Sequence, residues 1–472
     1  MSSAPHLPAG RFVAGPITPT LLRFAWPLLA TNLLHAAAST WSAVWIGQVL
    51  GAHALAAVAT ATVLVFMLMG AAMGIGTAAG VAIGQSLGAG DLHAVKRISG
   101  CALSFVMGVS GTIAALGWWA APALIAVLRT PPEAVTFAVT HVRFTCLSMP
   151  AIFTYLVMVM MMRGAGDSRT PFRFTLVWIA LVVALVPVLV PAIGIAGVGL
   201  ANLIAATAAL GALVAFVRWR RLPIALRGED LRHLRPEPAL LRLMVQRGTP
   251  VALEAIVTQG AYFVLLVQVN AYGAATAAAY SGAAQLWTFV QMPSNAIAAS
   301  MSAMAALNIG AGLWQRVEQI AWRGCLASLA ISVSTTALIY GAGALFDELP
   351  LRLFIPNDGA VLREARDINF IVLWGWIALS ITMSLSAVVR ANGAMLAPTL
   401  VFIVTMWAFR VPFALGLEPW LGESAIWWSF PFGALSSALL AWAYHRWGRW
   451  RERPLMLSRA GPAAPAPSAP RP

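Results

Sequence analysis

Charge is scarce in this sequence. Of 472 residues, 30 are lysine or arginine and only 16 are aspartate or glutamate, so charged residues make up 10%. Soluble domains carry about 25%, and a chain this poor in charge is not built to face water on all sides. Cysteine is rarer still. Cys101, Cys146 and Cys325 lie in or beside apolar segments without metal-ligand spacing, which excludes a disulfide framework and leaves them as small buried apolar side chains. The sequence has no Gly-x-x-x-x-Gly-Lys-Ser/Thr loop, so it is not expected to draw energy directly from ATP. It shows no paired carboxylates, metal cluster or nucleophile elbow at membrane depth. The expectation is a non-enzyme with no cofactor and no metal.

What is present is apolar. Hydrophobic residues make up 60%, and the mean hydropathy is +0.81. A spanning helix needs about 20 mostly apolar residues. Twelve such segments are expected, over 20–46, 54–84, 95–121, 134–162, 171–191, 196–219, 243–272, 278–308, 318–342, 367–390, 397–417 and 424–447. Residues 1–19 hold no compact basic-then-apolar-then-small pattern, so no cleaved signal peptide is expected and the first apolar run is expected to be retained. The net charge of +14 does not imply a nucleic-acid partner, because the charges fall in loops between spans. Most basic residues fall on one side: Arg11 and Arg23, Lys96 and Arg97, Arg163 to Arg173, the stretch 218–247, Arg316, Arg323, Arg390 and the tail. The other side holds little beyond Arg129, Arg352, Arg363 and Arg366, with the acids Asp347, Glu348, Glu418 and Glu423. By the positive-inside rule both termini are cytoplasmic.

The sequence divides into a tail (1–19), a six-helix lobe (20–219), a linker (220–242), a second six-helix lobe (243–447) and a basic, then Pro/Ala-rich tail (448–472). The division rests on a repeat. The stretch Arg163-Gly164-Ala165-Gly166-Asp167-Ser168-Arg169-Thr170-Pro171 is echoed by Arg390-Ala391-Asn392-Gly393 and Pro398, with the same Arg-to-Gly and Arg-to-Pro spacings. With Pro27 set against Pro250, Gly51 faces Gly273, Gly88-Ala89-Gly90 faces Gly310-Ala311-Gly312, and Gly194 faces Gly422. Six helices return the chain to its starting side. The fold expected is therefore an all-α membrane protein of twelve transmembrane helices, in two lobes related by a pseudo-two-fold axis along the membrane normal, as in transporters with parallel repeats.

Three features resemble the multidrug and toxic compound extrusion family: the Pro27 helix running to Trp45-Ile46-Gly47, Gly88-Ala89-Gly90-Asp91 after the second helix, and the Arg163–Pro171 motif after the fourth. The resemblance covers about residues 18–447. It implies a cation-coupled antiporter that expels small amphipathic or cationic organic compounds across the cytoplasmic membrane by alternating access, with two lobes in a V around a central cavity. Its partners would be a small-molecule substrate, a proton or sodium ion and the lipid bilayer, and it would act as a monomer. A lipid-linked saccharide flippase of the same broader superfamily is the alternative. The sequence departs from its relatives where they carry acids. Ser42 stands where many have an Asp in helix 1, Val182 and Val186 replace a polar pair before Pro187, Leu379 replaces a helix 10 acid, and Thr258 a helix 7 acid.

Glu254, four residues before Thr258, is the one acid placed deep inside a span. A carboxylate there is costly unless paired or protonated, which makes it the candidate for cation coupling. The alternative is a neutral carboxyl that bonds a neighbouring helix. His35, on the same face of helix 1 as Ser42, is the second coupling candidate. Asn32, Ser42, Thr258, Gln259, Tyr262, Gln285, Trp287, Gln291 and Asn295 are candidates for lining a substrate cavity. Arg410 could snorkel, or pair with Glu254 or a lipid headgroup. Proton coupling is favoured, since a sodium site wants several oxygen ligands. The Arg163–Pro171 motif itself is expected to be a water-exposed turn, away from substrate.

Overall fold

The computed structural model describes residues 9–127, 132–345, 349–352, 354–355 and 359–452. Arg129, Asp347, Glu348, the first eight residues and the Pro/Ala-rich tail lie outside them. Twelve long helices run through the described residues, with no strand among them: α1 (Ile17–Leu50), α2 (Ala52–Gly88), α3 (Leu92–Val127), α4 (Pro132–Gly164), α5 (Arg169–Ile193), α6 (Ala196–Trp219), α7 (Pro238–Ala271), α8 (Ala274–Gly310), α9 (Trp314–Leu345), α10 (Gly359–Ala391), α11 (Leu396–Leu421) and α12 (Ser424–Trp447). Ten of the twelve contain a stretch long and apolar enough to cross a membrane. The two that fall short are α1 and α8, the helices that carry seven of the eleven candidate site residues. The polar side chains that lower their apolarity need partners inside the protein.

The helices outrun the apolar segments. The helix expected over 243–272 starts at Pro238, and the one expected over 367–390 starts at Gly359. Apolar length marks only the part that lies in lipid, while the backbone hydrogen-bond ladder continues into amphipathic ends. The linker is shorter in consequence. It holds a 3₁₀ turn, Gly228–Leu234, tied to the start of α3 by Lys96 Nζ, 2.8 Å from Asp230 Oδ2, and by an Arg97–Glu237 ion pair.

The second six helices pack as the first six do. α2 packs on α4, α4 on α3 and α6, and α5 on α6 and α1; in parallel, α8 packs on α10, α10 on α9 and α12, and α11 on α12 and α7. The junctions repeat as well. Glycines with positive φ occur in matched pairs: Gly51 (82°) and Gly273 (112°), Gly90 (76°) and Gly312 (73°), Gly166 (85°) and Gly393 (91°), Gly194 (66°) and Gly422 (57°). These left-handed turns disfavour any residue with a Cβ, so the glycine spacing visible in the sequence is the turn spacing of the fold.

The halves meet along a seam. α1 touches α8, α7 touches α2, and α2 touches α8. At the motif-side ends of α2 and α8 the backbones are nearly in contact. A methyl group on Gly88 would collide with the Leu307 carbonyl, one on Gly310 with the Gln85 carbonyl, and one on Gly84 would lie 2.8 Å from Ala306 Cβ. A short N-terminal helix, Ala9–Ala14, braces this seam. The Phe12 carbonyl accepts from Asn308 Nδ2 at 3.1 Å and Arg316 Nε at 3.3 Å. The Phe12 ring meets Phe24 edge-on at 5.3 Å and lies beside Gly166.

Candidate functional site

Between the halves, on the far side of the glycine seam, lies a cavity of about 470 Å³. That is the size of site that takes drug-sized ligands, about 300–1,000 Å³. Its polar lining includes Asn32 on α1, Thr77 on α2, Asn295 and Ser302 on α8, and Ser386 on α10; Met73, Met160 and Met383 supply soft apolar wall. Three charged residues reach it: Arg163, Glu254 and Arg390.

Glu254 is not a solitary carboxylate. Arg390 Nη2 donates to its Oε1 at 2.7 Å and its Oε2 at 2.6 Å. The Thr399 hydroxyl lies 2.9 Å from Glu254 Oε2 and 3.1 Å from the Pro250 carbonyl, and its proton serves one or the other. The two charged side chains are 16% and 20% exposed. Glu254 lies midway along α7 and meets the last turn of α10 and the first of α11. The echo motif is therefore no solvated turn: its arginine neutralises the cavity's carboxylate. Arg163, at the matching place in α4, also lines the cavity instead of projecting into water. Its Nε is buried without a hydrogen-bond partner, as is that of Arg390. A cation in the last turn of a helix is favoured by the helix dipole, which helps hold both arginines.

His35 and Ser42 open onto a different space, a crevice of about 260 Å³ bounded by Trp178, Ile179, Val182, Val198 and Asn202. The His35 ring meets Trp178 edge-on at 5.7 Å, and the Ser42 hydroxyl is spent on the Ala38 carbonyl at 2.9 Å. The two coupling candidates, His35 and Glu254, thus border separate cavities. Asn32 and Asn295 reach the central one. Gln259 and Gln285 are exposed; these two, with Thr258 and Gln291, are absent from the central lining. Trp287 donates through Nε1 to Asn369 Oδ1 at 2.6 Å and stacks on Phe430 at 6.1 Å, which makes it part of an aromatic core in the second half.

Arg410 belongs to that core. It ends a π-helical turn, Thr405–Arg410, inside α11, is 3% exposed, and lies over the rings of Tyr262 at 5.0 Å and Phe430 at 4.7 Å. It neither snorkels nor pairs with Glu254. A small void beside it is lined in part by Leu379 and Ser437. Sequence reasoning missed Thr399, Asn369 and the cavity role of Arg163 and Arg390. The repeated Arg-to-Gly spacing singled out the two arginines but gave no sign of their partner.

The MatE family model matches twice, over residues 27–189 and 250–415, one match to each half and starting on the two prolines aligned above. The "Probable multidrug resistance protein YoeA" of Bacillus subtilis is 29% identical over 91% of this chain and 93% of its own length. The "Probable multidrug resistance protein YpnP" of the same organism is 25% identical over 95% and 99%. A "FAD transporter" of Shewanella oneidensis is 23% identical over 74% and 77%. Among solved structures, an outward-facing MATE family transporter of the MOP superfamily superposes with a TM-score of 0.86 at 18% identity, covering 94% of this chain and 98% of that one. A further MATE crystal structure, in complex with MaL6, gives 0.85 at 18% identity, covering 92% and 97%. The doubled match across both halves, on an all-helical multi-pass membrane fold, establishes that this chain belongs to the MatE family of multidrug transporters, which are not enzymes.

Proposed function

We propose that this chain is a proton-coupled antiporter exporting small amphipathic organic compounds across the cytoplasmic membrane, with both termini inside and Glu254 as the coupling carboxylate. The halves 20–219 and 243–447 act as two lobes about an axis along the membrane normal. The observation that carries the reading is the Glu254–Arg390 pair in a drug-sized cavity between the halves. A carboxylate in such surroundings needs a counter-charge or a proton. Three species compete for it: Arg390, a proton, and a positive group on a substrate. Proton and substrate then exclude one another at Glu254, which is the condition for antiport. The Thr399 hydroxyl is the one further oxygen bonded to it among the described residues. That favours a proton over sodium, which wants several oxygen ligands. The seam of Gly84, Gly88 and Gly310 seals one end, and alternating access requires it to part. The names of the Bacillus relatives support multidrug export over a saccharide flippase.

The test is transport in proteoliposomes with an imposed pH or sodium gradient, comparing wild type with Glu254→Gln. Wild type is expected to drive efflux of a cationic dye with the pH gradient, and Glu254→Gln to fall to the level of empty vesicles. Full transport by Glu254→Gln would sink the assignment.

A further inference from the structure

Arg410 is a buried cation in the second half, 3% exposed, and no described acid pairs with it. Its Nε is buried without a hydrogen-bond partner, and its Nη1 reaches only the Met406 thioether, at 3.7 Å. A guanidinium does not give up its proton inside a protein, so burial cannot neutralise it. The rings of Tyr262 and Phe430 lie 5.0 and 4.7 Å from its central carbon. Such contacts offset only part of what an ion loses on leaving water. The surroundings are short of acceptors, not of donors. Trp376 Nε1 and Asn369 Nδ2, in the aromatic core that Phe430 joins, are likewise buried without partners.

The void beside Arg410 has a volume of about 10 Å³, the room that one water-sized body needs. Two hydroxyls line it, and both are spent on their own helices: Thr405 donates to the Val401 carbonyl and Ser437 to the Ala434 carbonyl at 2.8 Å. The guanidinium is the donor left over. The π turn Thr405–Arg410 places it there. A π turn takes one residue more than an α turn and is often found at binding sites. Here Arg410 ends inside the protein while Trp407, three residues earlier, is 42% exposed.

We infer that Arg410 holds a single small monovalent anion, a halide such as chloride, between α10, α11 and α12. The ion supplies the one negative charge that the core lacks. It has no fixed bonding geometry, so it can accept from whichever N–H groups the edge of the guanidinium presents. The void excludes sulfate and organic acids by size. Phe402 borders both this void and the central cavity, which makes the cavity the way in. The anion is not cargo. It pins the π turn of α11 to its neighbours and makes the rigidity of the second half depend on halide. This goes beyond the export reading and does not rest on it.

The experiment follows thermal unfolding of the purified full chain in detergent while sodium chloride replaces sodium gluconate at fixed total salt. The midpoint should rise by about 2–3 °C and then saturate, as for a ligand that binds only the folded state. Bromide should act as chloride does. Arg410→Met should unfold at one temperature in every mixture, and Arg410→Lys should keep a weaker response. A wild-type midpoint that does not move overturns the inference without recourse to any variant. So does a rise that stays linear and never saturates, which is the mark of bulk salt, and so does an Arg410→Met protein that keeps the full wild-type rise. Crystals grown in bromide locate the ion directly. An anomalous peak within hydrogen-bond reach of the Arg410 guanidinium supports the site, and bromide found only elsewhere overturns it, even where Arg410→Met fails to fold. None of these readouts measures transport, so the anion site and the export reading stand or fall separately.

Discussion

Arg163 stands in the last turn of α4 with no partner among the described residues, while Arg390, at the same place in α10, is held by Glu254. The backbones around them are copies, down to the left-handed glycine three residues on. The side chains are not. Where the second half has Glu254 the first has Thr31, and where α11 buries Arg410 the aligned stretch of α5 holds Val182 and its neighbours. The repeat thus fixes how helices turn and pack, and charge is free to diverge on top of it. Duplication gives two equivalent frames, and asymmetry between them creates a site with one neutralised pair and one open cation.

The strongest way to break this comparison is to remove each arginine in turn. Arg390→Met strands Glu254 in a largely buried site and should cost about 3 kcal/mol of stability, whereas Arg163→Met, which removes a cation with no carboxylate, should cost little or raise stability. Thermal unfolding in detergent compares them; equal losses would mean that the two arginines are not different in kind. Next comes the seam, where the halves should behave alike. Gly88→Val and Gly310→Val each force a side chain into a facing carbonyl and should each cost about 1–3 kcal/mol. Gly108→Val meets open space and serves as the control. Unequal effects at Gly88 and Gly310 would show that the seam is not shared evenly. A gain of function is smaller but sharper. Thr31→Glu in the Glu254→Gln background places a carboxylate near Arg163 and should recover a measurable part of pH-driven transport. No recovery would mean that the first frame cannot do the second frame's work.

The smallest effect concerns the linker. The hydrogen bond from Lys96 holds Asp230 below its usual carboxylate range, and that from Arg97 does the same for Glu237. Both add stability at neutral pH that is lost as pH falls through their lowered values. Burial pushes the His233 imidazole below its ordinary 6.5, so its contribution is full above that value and erodes as pH falls below it. All three act in one direction: acid loosens the linker. With side chains 23–36% exposed, each ion pair adds under about 1 kcal/mol. Limited proteolysis of residues 220–237 should therefore speed up modestly from pH 7 to pH 5 and further below pH 4. A rate independent of pH would count against the docking.

Much of the frame was legible because its causes are local. Apolar length marks the helices, and glycine marks turns that disfavour a Cβ, so the repeat could be read from spacing. The site was legible only in part. Glu254 stands out in any list of intramembrane acids, yet its neighbours along the chain give no sign that Arg390 and Thr399 bond it. Arg390 reads as solvated because it follows a long apolar helix and precedes a glycine turn. Only the packing of α11 against α7, and the Glu254 carboxylate that α7 presents, turn it inward. Arg410 was ambiguous for a similar reason: the π turn that precedes it leaves no mark in the composition of α11.

The short helix at Ala9–Ala14 has a consequence for how turnover could be watched. Phe12 is gripped by Asn308 and Arg316 from one half and by Phe24 and Gly166 from the other. If the motif-side ends of α2 and α8 separate, this grip cannot survive on both sides. The beginning of the chain must then let go once per cycle and be recaptured. A fluorophore carried there would flicker at the pace of transport, so that a segment remote from substrate becomes the protein's own turnstile counter.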